Sequence, residues 1–171
     1  CSPRPLVYGS SGSSLRQPEV IDWGKIVLDR LVNQVVSDLR GERIPSRAFP
    51  GTLLADATDP VVLKSIMAIE QMDRGSVRSG ADNRLDLFYL ELAMNEGHAF
   101  HYEVSSAGAN GLLQFIPLTY ASVVSHWPQL HLIKDFKTGM ADLPNAIRAQ
   151  IAYLDGVWSD LPAAARDPRV T

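Results

Sequence analysis

The chain has 171 residues, of which 46% are hydrophobic and 20% charged, and its formal net charge is −3. That length suits one domain able to bury roughly 70% of its unfolded surface. The charge balance, with no clustered basic run, excludes a duplex nucleic-acid binder, and no apolar run approaches the roughly 20 residues of a membrane-spanning helix.

Cys1 is the single cysteine, which excludes an intrachain disulfide. It is followed by Ser-Pro-Arg-Pro and then by Gly9-Ser-Ser-Gly-Ser-Ser14. This start resembles that of a mature bacterial lipoprotein, with Cys1 as the acylated residue and residues 1–18 as a flexible tether to the membrane. The competing reading is a cloning boundary with a vector-derived Gly/Ser linker.

The rest, residues 19–171, reads as one helical domain. From Glu19 to Arg40, the residues Ile21, Leu28, Leu31, Val32, Val35 and Leu39 recur at three- and four-residue steps, and Gly41 follows as a stop signal. This predicts a bracing helix without chemistry of its own. Residues 41–58, with Pro45, Pro50 and Gly51, are expected to form a loop. Asp59-Pro60 opens a second helix, the aspartate as N-cap and the proline at the first helical position. On it Leu63, Ile66, Met67 and Glu70 share one stripe, which predicts a Glu70 carboxyl packed against the core and held protonated near neutral pH.

Gly75 to Asp82 reads as a polar loop, and Asn83 to Asn95 as a third helix, apolar over most of its surface and hence buried on two sides. His98, His101 and Glu103 follow Glu96 in a Glu-x-His-x-x-His-x-Glu pattern. It lacks the i, i+4 histidine pair of a helical zinc site, so these are expected to be rim residues and no metal is predicted. Ser105 to Tyr120 then carries two glycines, Gly108 and Gly111, before an apolar run containing Gln114. A tight loop is expected to hold Gln114 beside a cleft, with Phe115 and Ile116 anchoring it from below. Pro117 to Trp127 predicts a short helix with Tyr120, Val123 and Val124 inward, 128–142 an irregular segment, and Pro144 to Leu161 a longer helix. On that last helix Ile147, Ile151, Leu154 and Trp158 form one face, with Tyr153 beside them. No alternating strand pattern is evident, so the fold class is mainly α, with little or no β.

The string Ser-x-Ala-Gly-Ala-x-Gly-x-x-Gln-Phe-x-Pro-x-x-Tyr over Ser105–Tyr120 resembles the signature of lytic transglycosylases, the lysozyme-like enzymes that cleave peptidoglycan. Asn145-Ala-Ile-Arg-Ala-Gln-Ile-Ala-Tyr-Leu154 resembles the helix that follows the glutamine loop in these enzymes. The resemblance covers about residues 59–155 and leaves the N-terminal helix unexplained. It implies a lysozyme-like fold, a cleft lined by Ser105 and Gln114, and substrate contacts by Phe115, Tyr120 and Tyr153. It also implies glycan strands as the partner, no cofactor, a periplasmic or envelope setting, and service to a secretion, conjugation or other envelope complex.

Such enzymes use one glutamate as both acid and base, and two compete for the role. Glu96 lies 18 residues before Gln114, which resembles the spacing of the soluble members, but Gly97 stands where they carry serine. Glu70 ends a segment, Asp59-Pro60 to Glu70, that resembles the acid-bearing helix of the superfamily, and is preferred. Asp73 is expected to be solvated, leaving no second carboxylate for a hydrolase. One departure is that the chain ends at Asp167-Pro-Arg-Val-Thr171 without the family's Ala-Tyr-Asn motif, as a fragment or a degenerate, inactive glycan-binding relative would.

Overall fold

A computed structural model of the chain describes residues 16–72 and 83–166. Cys1 and the tether as far as residue 15, the 75–82 loop, Asp73 and 167–171 lie outside the described residues. Among the described residues, α-helices run in the order α1 (Pro18–Glu42), α2 (Pro60–Glu70), α3 (Asn83–Asn95), α4 (Pro117–His126), α5 (Phe136–Ala141) and α6 (Leu143–Asp160). Among the described residues no strand is formed, only isolated bridges at Pro45–Leu53, Val104–Asn110 and Asn110–Phe115. The fold is mainly α.

Helix α1 is the scaffold of the domain. Its stripe of Leu28, Val32, Val35, Val36 and Leu39 is buried, and it packs against α2, α3 and α6. The crossing with α3 is close because Gly24 lacks a side chain; a Cβ there would overlap the Tyr89 carbonyl. Gly41 does not end this helix. The chain continues helically to Glu42, and Arg43 takes the left-handed conformation (φ 55°), its N–H bonding the Arg40 carbonyl. The two extra residues set Glu42 opposite Arg148 of α6, whose guanidinium donates to both carboxylate oxygens at 2.7 Å. Long-range pairing of this kind has no signature in local sequence.

Helix α2 starts as the Asp-Pro pair predicts, the Asp59 carboxylate accepting from the Val61 N–H at 2.6 Å. Helix α3 contributes Phe88, Leu90 and Leu92 to the core, and Phe88 stacks on Phe100 at 5.5 Å. The segment 128–142 is not irregular throughout. It holds a 3-10 turn at Pro128–Leu130 and helix α5, which Asp135 caps by accepting from the Thr138 N–H. That short helix is folded around Tyr120. The phenol donates to the Ile133 carbonyl at 2.6 Å and accepts from Asn145 Nδ2 at 2.8 Å, and a Cβ on Gly139 would collide with its oxygen.

Candidate functional site

An open groove of about 190 Å³ lies where α2, the glycine loop, α4 and α6 meet, lined by Glu70, Leu113, Gln114, Phe115, Ile116, Thr119, Gln150 and Tyr153. Glu70 comes from the last turn of α2, and Gln150 and Tyr153 come from one face of α6, three residues apart. The groove therefore combines a carboxylate, two amides, a threonine hydroxyl and two aromatic rings, with Phe115 and Tyr153 edge-to-face at 5.8 Å.

The loop that presents Gln114 is built as its glycines predict. Gly108 and Gly111 have φ of 77° and 73°, a conformation that costs other residues steric strain. A Cβ on Gly111 would lie 2.6 Å from the Met140 carbonyl, so the close approach also requires glycine. Backbone bonds from Asn110 N–H to the Phe115 carbonyl and from Gly111 N–H to the Glu103 carbonyl close the turn. Gln114 itself is left-handed, with φ 46°, and its Nε2 donates to the Gly111 carbonyl at 2.8 Å. A non-glycine residue held in that region stores strain that the surroundings must offset, and such positions cluster at functional sites.

Glu70 reaches this groove, but its environment is not the expected one. Leu63 and Met67 are buried, Ile66 is half-buried and Glu70 is exposed. The buried face at the end of α2 runs from Met67 and Ala68 to the half-buried Gln71 and Met72, so the periodicity that buries Met67 passes Glu70 by. The next residue ties the helix end down. Gln71 Nε2 donates to the Gly111 and Leu112 carbonyls at 3.0 and 2.8 Å. Glu96, the alternative acid, is exposed in a 3-10 turn (Glu96–His98), has φ 41°, and is not among the groove-lining residues.

Of the other expected contacts, Phe115 and Tyr153 line the groove, whereas Ser105 and Tyr120 do not. The Ser105 hydroxyl accepts from the Ala109 N–H at 3.0 Å, within the glycine loop. Tyr120 is 1% exposed and props α5 against α6. Burial pushes its phenol above the ordinary range, the charges of Asp142 and Asp135 adding to the effect and the Asn145 hydrogen bond opposing it. Sequence reasoning overlooked Thr119, Gln150 and Gln71, since an isolated amide or hydroxyl on a helix carries no signal until a groove forms beside it. It also overlooked Glu91, whose half-buried Oε1 accepts from Asn95 Nδ2 at 2.8 Å. Burial raises its pKa, against the Phe100 N–H and Asn95 hydrogen bonds and with the Glu103 charge adding.

Among the described residues, no group of three or more His, Cys, Asp or Glu is placed to hold a metal ion. His98 and His101 face each other edge-on at 6.1 Å, outside the groove lining. Amides, hydroxyls and aromatic faces around one carboxylate are the groups that recognise a neutral polyhydroxyl ligand and exchange a proton with it. The fold and groove thus define a mainly helical protein with a candidate proton-transfer site. Compared with known protein families, curated proteins and solved structures, the chain matches none.

Proposed function

We propose that the chain is a peptidoglycan lytic transglycosylase of lysozyme-like architecture, acting through Glu70. The observation that carries this reading is the meeting of Glu70 and Gln114 in one groove with Tyr153, where the resemblance of the glycine loop requires an acid beside the glutamine. Glu70 is the one carboxylate among the described residues lining the groove. A glycosidase that activates water normally uses two carboxylates, so a single one favours intramolecular displacement. Glu70 protonates the bridging oxygen, the neighbouring N-acetyl group supports the oxocarbenium-like centre, and the same carboxylate then takes the proton of the sugar's 6-hydroxyl. The product is a 1,6-anhydro-muramoyl end. Gln114 and Gln150 hydrogen-bond the sugar while Tyr153 and Phe115 give it an apolar face. The setting in this proposal is the bacterial envelope.

A second reading, a catalytically inactive relative that binds glycan strands or scaffolds an envelope complex, is favoured by the exposure of Glu70. A general acid is ordinarily tuned by desolvation, which this residue does not receive from its own helix. Mass analysis of muropeptides released from purified sacculi decides between the two. The enzyme releases anhydro-muropeptides and Glu70→Gln does not. Sacculi bound without release establish the binding protein, and reducing ends alone establish a hydrolase.

A further inference from the structure

Past Tyr153 the surface opens into a second groove, of about 220 Å³, between the end of α4 and the last two turns of α6. Tyr153 is common to both grooves, so a ligand lying along one reaches the other across its ring. Two features of this second groove bear on what it can hold. The first is Gly156, in the interior of α6, where glycine costs about 1 kcal/mol relative to alanine. Its φ is not positive and a Cβ there would meet nothing within 4 Å. Neither conformation nor crowding demands a glycine, and its effect is to keep the groove floor open.

The second feature is Arg47, a cation fixed in advance. Its backbone N–H donates to the buried carboxylate of Asp155 at 2.7 Å, and the other oxygen of that carboxylate accepts from the Ser46 hydroxyl. Its guanidinium lies 4.2 Å over the Trp127 ring and donates through Nη2 to the His126 carbonyl. A planar guanidinium held on a ring loses little freedom when it binds an anion, and its remaining N–H groups match a carboxylate. Asp160, also in the lining, is an acceptor suited to an amide N–H or an ammonium group. Exposed flanks of Tyr153 and Val157 complete walls that are apolar between polar ends.

We infer that this second groove binds the carboxylate-bearing peptide substituent of the glycan whose sugar rings occupy the first groove, with Arg47 on the carboxylate and Asp160 on the peptide's N–H or ammonium donors. The inference rests on the glycan reading of the first groove. It makes the protein selective for strands that still carry their peptides over bare glycan.

The test titrates the full chain with two soluble probes, the disaccharide GlcNAc-MurNAc bearing its tetrapeptide and chitotetraose, which has no carboxylate. The peptide-bearing probe is expected to bind about tenfold or more tightly, the scale of one hydrogen-bonded charge pair. Arg47→Gln removes the cation. Gly156→Leu fills the floor at a position where a Cβ meets nothing within 4 Å and helix propensity improves, and a melting temperature at or above that of the unmodified chain excludes a folding defect. Both variants are expected to bind the two probes equally while holding chitotetraose as the unmodified chain does. If the unmodified chain holds both probes equally, or if Gly156→Leu keeps the full preference, the second groove is not a peptide site while the first remains a glycan site. Failure to bind either probe overturns both readings.

Discussion

Gln71 and Gln114 donate their side-chain amides to one acceptor, the Gly111 carbonyl, at 3.0 and 2.8 Å. The first sits at the end of the helix that carries Glu70, and the second lies within the loop that forms the opposite wall. Through that shared carbonyl the end of α2 and the glycine loop are joined by hydrogen bonds, beside the apolar contact that Met72 makes with the core. This clasp helps to fix the helix end that carries Glu70.

Gln71→Ala therefore removes the clasp while leaving Glu70 and Gln114 in the sequence. The Gly111 carbonyl keeps the Gln114 amide, so the loss falls on the buried Leu112 carbonyl, at about 1–3 kcal/mol. On the transglycosylase reading, turnover is expected to fall at least tenfold while KM changes little, because Gln114, Gln150 and Tyr153 stay in the groove while Glu70 is displaced. Paired measurements of melting temperature and steady-state rate check this. Normal turnover in a protein melting several degrees lower would make Gln71 a structural tie alone.

The choice of acid is tested by Glu70→Gln and Glu96→Gln. The first is expected to abolish muropeptide release without a change in melting temperature, since an exposed carboxamide costs little. The second is expected to retain most of the activity, because Glu96 lies outside the groove lining. The reverse outcome would return the role to the residue 18 positions before Gln114.

Tyr120→Phe separates a structural phenol from a substrate contact. The change leaves the Ile133 carbonyl without its donor and Asn145 Nδ2 without one of its two acceptors, Gly139 O remaining. Unfolding by denaturant is expected to show a loss of about 1–3 kcal/mol, with the folded fraction keeping its specific activity. A loss of activity at unchanged stability would place Tyr120 in the binding face after all.

The raised pKa of Glu91 makes a prediction about pH. A carboxyl whose pKa is higher in the folded chain than in the unfolded chain is bound by more protons when folded, so stability falls as pH rises. Its ionisation penalty is absent below the unfolded value, near 4.5, and is fully present once pH has passed the folded value. Glu91→Gln keeps the acceptor for Asn95 and Phe100 but cannot ionise. It is expected to unfold at a higher denaturant concentration than the unmodified chain at pH 7, and at about the same concentration at pH 4.

What the sequence determined by itself are the features governed by residues a few positions apart. Asp59-Pro60 starts α2, Gly108 and Gly111 turn the loop, and the apolar spacing of α1 buries its Leu28–Leu39 face. Each depends on backbone geometry or helical periodicity, which short-range chemistry settles. What only the tertiary structure decided depends on which elements lie next to one another. Tyr120 and Tyr153 looked alike as candidates, yet one became a core post and the other a groove wall, because α5 folds over the first while the second, packed edge-to-face on Phe115, stays 39% exposed. Glu70 continued an apolar stripe in sequence but emerged exposed, because the buried face at the end of α2 turns through Ala68 to Gln71 and Met72. Gln71 and Gln150 gained meaning only when the glycine loop docked against α2 and α6, bringing together residues 40 positions apart. Contacts over such separations are selected by the packing of whole faces, and no local pattern encodes them.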